Sequence, residues 1–155
     1  MNLKVKRVAV GADHRGFDLK RRIVKHLREK GVEVEDVGTS GSDSVDYVDF
    51  AAPVARLVAT DKAERGILIC ASGIGMSITA NKIVGVRAAL VQNRTAAQAS
   101  REHNNANILC LGADYLLEDD VEGLVDLWLC TPFAGGRHAR RVQKITDVER
   151  EGLCR

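Results

Sequence analysis

The chain has 155 residues, 45% hydrophobic and 28% charged, with a formal net charge of +2. That balance suits one globular domain with one sizeable core and excludes a disordered chain. The small net charge argues against a nucleic-acid or membrane binder, and no apolar run approaches the roughly 20 residues that span a bilayer.

The basic start, Met1 to Arg7, runs straight into a strand without a signal-peptide core, so the chain reads as cytoplasmic. The cysteines at 70, 110, 130 and 154 form no Cys-x-x-Cys pair and no zinc-ligand spacing. Free thiols are expected, Cys110 and Cys130 in the core and Cys154 incidental. Neither a metal nor a cofactor is expected.

Val5 to Val10 reads as the first strand, closed by Gly11. Phe17 to Lys30 carries an apolar stripe of Leu19, Ile23, Val24 and Leu27 on a basic background, a helix stopped at Gly31. Its His26 reads as solvated. Val32 to Val37 alternates apolar and acidic residues, a strand near a sheet edge, and Gly38 to Ser44 is a loop. Tyr47 to Ala63 reads as a helix with Pro53 early in it, or as one that starts nearer Pro53. Ile67 to Ile69 is a buried strand ending at Cys70, followed by small residues and a helical pattern through Ile78, Ala80 and Ile83. Val86 to Val91 is the fourth strand, Thr95 to His103 a short helix, Ile108 to Leu111 the fifth strand and Glu118 to Leu129 a helix. Pro132 to Gly136 breaks the pattern, and Arg140 to Glu151 is a last, highly charged helix. Strands alternating with helices imply an α/β fold: a doubly wound, Rossmann-like parallel sheet of about five strands in an αβα sandwich. No repeat or linker divides the chain, so residues 1–155 form a single domain.

In such sheets ligands bind beyond the carboxyl ends of the strands. Asp13 and His14 follow the first strand, Cys70 and Ser72 the third, and His103 and Asn104 the fourth strand and its helix, so polar groups are expected to gather on one rim. Asp13 can cap the first helix or, with His14, bind an anion or a hydroxyl. Cys70 can be a small residue closing a strand, but the following helix N-terminus would stabilise its thiolate. Ala71, Ser72, Gly73, Ile74 and Gly75 read as an anion-binding turn. It is not a dinucleotide fingerprint, because Ile78 stands where the third glycine belongs. His103 can simply complement a helix C-terminus or reach a ligand. Arginines at a helix start oppose the helix dipole, so Arg137, Arg140 and Arg141 favour a phosphate clamp over a solvated face.

Together these blocks resemble the type B ribose-5-phosphate isomerase family, which also holds galactose-6-phosphate and allose-6-phosphate isomerases. The resemblance rests on Gly-Ala-Asp-His-Arg-Gly-Phe at 11–17, Asp46-Tyr47, Cys-Ala-Ser-Gly-Ile-Gly at 70–75, Ala80-Asn81-Lys82, Ser-Arg-Glu-His-Asn at 100–104 and Gly-Gly-Arg-His at 135–138. It implies a sugar-phosphate isomerase acting on ribose 5-phosphate and ribulose 5-phosphate through an enediolate. Cys70 then matches the base between C1 and C2, and the amides from Ala71 to Gly75 match the enediolate hole. Ser72 matches the hydroxyl relay, His103 the ring-opening group and Asn104 a ligand beside it. His14, Arg137 and Arg141 match phosphate binders, and Asp13 and Tyr47 sugar contacts. The resemblance further implies a homodimer or dimer of dimers, with the site between subunits, His103 coming from the neighbour and the last helix (about 140–151) packing on the partner. Ala71-Ser72 stands where the family commonly has Gly-Thr, which keeps the small size and the hydroxyl. Asp114 stands where some members have a ligand-reaching Arg.

Three rivals remain at this level. An isomerase of allose 6-phosphate or galactose 6-phosphate would prefer six-carbon sugars. A non-catalytic nucleotide-binding module would bind without turnover. An RNA binder built on Arg140 and Arg141 lacks stacking aromatics beyond Phe133.

Overall fold

Side chains alternate strictly on the central strands, and that alternation sets the layers. Val8, Val10 and Ala12 of β1 (Arg7–Ala12), Ile67 and Ile69 of β3 (Arg65–Cys70), and Leu109 and Leu111 of β5 (Ile108–Gly112) fill one core. Ala9, Leu68, Cys70, Ile108 and Cys110 fill the other. The first core is closed by α1 (Phe17–Glu29), α4 (Arg94–Asn104) and α5 (Val121–Cys130), the second by α2 (Val48–Ala59) and α3 (Ile74–Ala80). With β2 (Glu33–Gly38), β4 (Ala88–Val91) and α6 (Arg137–Leu153) these complete the fold. This computed structural model describes residues 3–117 and 119–153; Glu118, the expected first residue of a helix, and Cys154 lie outside the described residues. No described helix is long and apolar enough to cross a membrane.

All strand pairs are parallel, in the order β2-β1-β3-β5-β4. The sheet is doubly wound as expected, with β2 on an edge. The last two strands are transposed relative to chain order. Burial explains why: every residue of β5 is buried, whereas β4 exposes Leu90 and takes the edge.

Several boundaries move for local reasons. β1 starts at Arg7 rather than Val5, because the Glu64 carboxylate takes the amides of Lys6 and Arg7 at 3.0 and 3.2 Å. α2 ends at Ala59 rather than Ala63: the Thr60 hydroxyl donates to Arg56 O at 2.8 Å and Asp61 turns the chain with φ 57°. α3 stops at Ala80 rather than Ile83 because the Asn81 amide group donates to Ser77 O and Ala88 O while its oxygen accepts Ala88 N–H, so one side chain ends a helix and tethers the edge strand. α5 starts at Val121, capped by Asp120, which accepts Gly123 N–H at 2.9 Å. α6 starts at Arg137, three residues before the expected Arg140. It buries no residue and leaves Ile145 and Val148 exposed. Cys110 is fully buried as expected, but Cys130, last in α5, is only half-buried. His26 is not solvated: its Nε2 lies 2.9 Å from Asp126 Oδ1, tying α1 to α5.

Candidate active site

The end of β3 holds Cys70, 5% exposed, facing α2 and α3. Its Sγ accepts the Gly73 N–H at 3.1 Å, and Ser72 Oγ accepts the Ile74 N–H at 3.3 Å. Gly73 permits this turn: its φ is +75°, and a Cβ there would lie 2.6 Å from Leu90 Cδ1. Among the described residues, the Gly75 and Met76 amides in the first turn of α3 have no protein acceptor. A thiol and a hydroxyl thus sit beside free N–H groups, as an anionic intermediate requires. The other buried thiol, in the middle of β5, is inert: burial first, then the neighbouring Cys70, pushes the Cys110 thiol up, so it keeps its proton.

Neighbouring loops close around this turn. Asp13 N–H donates to Ile69 O at 3.1 Å, which places Asp13 beside Cys70. Asp13 does not cap α1, whose N-cap Gly16 has no side-chain hydrogen bond: its Oδ1 accepts the amides of Arg15 and Gly16, ahead of the helix, at 2.9 and 3.1 Å. His14 Nδ1 accepts the Val45 N–H at 3.2 Å, which puts the ring proton on Nε2 and leaves Nε2–H to donate elsewhere. Two residues on, the Tyr47 ring lies against Gly75, so close that a Cβ on Gly75 would stand 2.5 Å from the ring. Asp114, beside Ala71 through its N–H to Ala71 O at 3.0 Å, pairs with Arg15 at 2.7 Å. Neither the Val45 amide nor the Arg15–Asp114 pair is visible in sequence spacing, since each joins distant segments.

The expectation of a single rim fails within one chain. α4 starts after β4 and returns antiparallel to the strands, so its C-terminus reaches the opposite end of the sheet. There Arg87 Nε, at the entry to β4, donates to Asn105 O at 3.0 Å, and Asn107 O accepts the amide of Gly66, at the start of β3, at 3.0 Å. Gly66 and Cys70 stand a strand apart, about 13 Å. His103 and Asn104 therefore lie at the far rim, both exposed. The start of α6 joins them. The His103 and His138 rings stack with centroids 4.4 Å apart and planes 11° apart, beside Arg137 and Arg141. Desolvation first, then the charges of His103, Arg137 and Arg141, holds the His138 imidazole below its ordinary value, with Glu102 opposing. His138 is a site residue that no expected role covers; its only mark in the sequence is its place next to Arg137.

One rim thus carries Asp13, His14, Tyr47 and residues 70–75; the other carries His103, Asn104, Arg137 and Arg141. Each is half of the predicted constellation. Residues 8–145 match the ribose/galactose isomerase family. The chain belongs to that family. It is 46% identical to ribose-5-phosphate isomerase B of Escherichia coli over 145 residues, 94% of this chain and 97% of the relative. It is 44% identical to a putative sugar phosphate isomerase of Bacillus subtilis over 148 residues, 95% and 99% of the two chains. Its fold superposes on ribose-5-phosphate isomerase B of Clostridium thermocellum with a TM-score of 0.91 at 48% identity, covering 94% and 98% of the two chains. It also superposes on the Mycoplasma genitalium ribose-5-phosphate isomerase B with bound ribulose-5-phosphate, with a TM-score of 0.89 at 40% identity over 94% and 97%. The transposed edge of the sheet is therefore a property of the isomerase fold this chain shares.

Proposed function

We propose that this chain is a cytoplasmic aldose–ketose isomerase that interconverts ribose 5-phosphate and ribulose 5-phosphate, and that its complete site is built from two copies of the chain. The observation that carries the reading is the Cys70 thiol, held by the Gly73 amide inside a turn of free N–H groups, with Asp13, His14 and Tyr47 around it.

In this reading His103 of one subunit faces Cys70 of the other. His103 donates a proton to the ring oxygen as the furanose opens, and the anomeric hydroxyl passes its own proton to solvent water, leaving the C1 carbonyl. Cys70, as thiolate, takes the proton from C2 of the open aldose and returns it to C1. Ser72 moves the hydroxyl proton between O2 and O1, and the amides from Ala71 to Gly75 hold the enediolate oxygens. His14, Arg137 and Arg141 hold the phosphate, which does not react and serves as an anchor. Asp13, Tyr47 and Asn104 orient the sugar hydroxyls.

Two chains related by a two-fold axis bring the Cys70 rim of each against the His103 rim of the other, giving two equal sites. Exposed apolar side chains support this partner choice. Tyr47, Val48, Ile74, Ile78 and Leu90 stand around the Cys70 rim, and Ile145 and Val148 on α6. The last helix, with no buried residue of its own, is then covered by the partner. The experiment is Cys70→Ala: turnover of ribose 5-phosphate should vanish while the sugar phosphate still binds. Full turnover in that variant would remove Cys70 as the base.

A further inference from the structure

The His103–His138 stack has an electrostatic consequence. Two like charges on parallel imidazoles 4.4 Å apart repel each other, so the stack resists carrying two protons. Facing His138 are His103 and Glu102 from α4, and Arg137 and Arg141 from α6. The connection from Pro132 to Gly136 contributes no titratable group, though it is fastened to α4 by the Ala134 N–H to Glu102 O at 3.1 Å. Two permanent cations against one carboxylate leave His138 short of a proton when the site is empty. A dianion resting on Arg137 and Arg141 reverses that balance.

We propose that His138 is a positioning residue for His103: it fixes the His103 ring by stacking, and the pair takes up a proton when a dianionic phosphate occupies the arginines. The acid for ring opening is thus loaded only when substrate is seated. The inference rests on the reading of Arg137 and Arg141 as the phosphate clamp. Two exposed rings in mere contact would give no such linkage.

The test uses the full-length protein and sulfate, a dianion that does not itself titrate near neutrality. Calorimetry in two buffers of different ionisation enthalpy, at pH 6.5, reads protons taken up per sulfate bound. Wild type should take up on the order of 0.3 proton, falling to none at pH 8.5, where an imidazole stays neutral with or without the anion. His138→Phe keeps an aromatic face but carries no proton. In it the uptake should fall by about half while sulfate still binds. Saturable sulfate binding without proton uptake in the wild type would overturn the proposal while leaving the clamp intact. So would proton uptake unchanged in His138→Phe. Sulfate binding undiminished by Arg137→Ala would instead remove the clamp, and the proposal with it.

Discussion

Splitting the machinery between two ends of one sheet makes a quantitative prediction about mixed subunits. Take Cys70→Ala chains, which lose the thiol rim, and His103→Ala/Arg137→Ala chains, which lose the opposite rim. Each homodimer should be nearly inactive, because every site contains a lesion. After mixing equal amounts and exchanging subunits, random pairing makes about half of the dimers heterodimers. In a heterodimer both lesions fall in one site and the other site is intact. One working site in two, in half of the dimers, predicts about 25% of wild-type activity. The roughly 13 Å from Gly66 to Cys70 is why the lesions cannot meet within one chain's own site. The assay is ribulose 5-phosphate formation before and after exchange. If activity stays at the level of the separate variants although heterodimers have formed, the site is not shared and the two-rim account is wrong.

Two further predictions concern the frame that holds the site. Lys20 Nζ donates to both Asp36 oxygens at 2.6 Å with its side chain only 3% exposed, and Asp36 also accepts the Gly38 N–H at the head of the loop that leads to Val45. Asp36→Ala strands a buried ammonium and should lower unfolding stability by about 3 kcal/mol in urea titrations; a loss under 1 kcal/mol would refute the pair's role. Asp126 is pushed up by desolvation, but its hydrogen bonds to Lys30 and His26 outweigh that and hold its carboxyl below the usual range. A depressed folded value means the stabilisation is complete above about pH 4, the unfolded value, and is lost as the pH falls below it. Wild type should therefore lose stability between pH 4 and 2 more steeply than Asp126→Asn, in thermal melts across that window.

Much of this molecule is legible in the sequence because its information is local. The continuous apolar runs Ile67 to Ile69 and Ile108 to Leu111 mark strands buried on both faces, and the stripe of α1 marks its core face. The Cys70 turn is equally local, a few residues whose geometry follows from their small size. What is not legible depends on direction and on distance along the chain. His103 follows a strand in sequence, yet an 11-residue helix carries it about 16 Å back down the sheet. The transposition of β4 and β5 is decided by comparing two strands' burial, which neither encodes alone. His26 with Asp126, and Arg15 with Asp114, are about a hundred residues apart, and no periodicity announces them. The Tyr47 ring against Gly75 needs both the loop after β2 and the start of α3 in place.

In the proposed reaction the Cys70 sulfur carries a proton between two sugar carbons. Deuterium wash-in reads that step directly. In heavy water the wild type should place solvent deuterium on C1 of ribulose 5-phosphate, because a thiol that holds the proton exchanges it with solvent. Cys70→Ala, still binding the sugar phosphate, should incorporate none. Deuterium appearing at C1 in that variant at the wild-type rate would assign the proton transfer to another group.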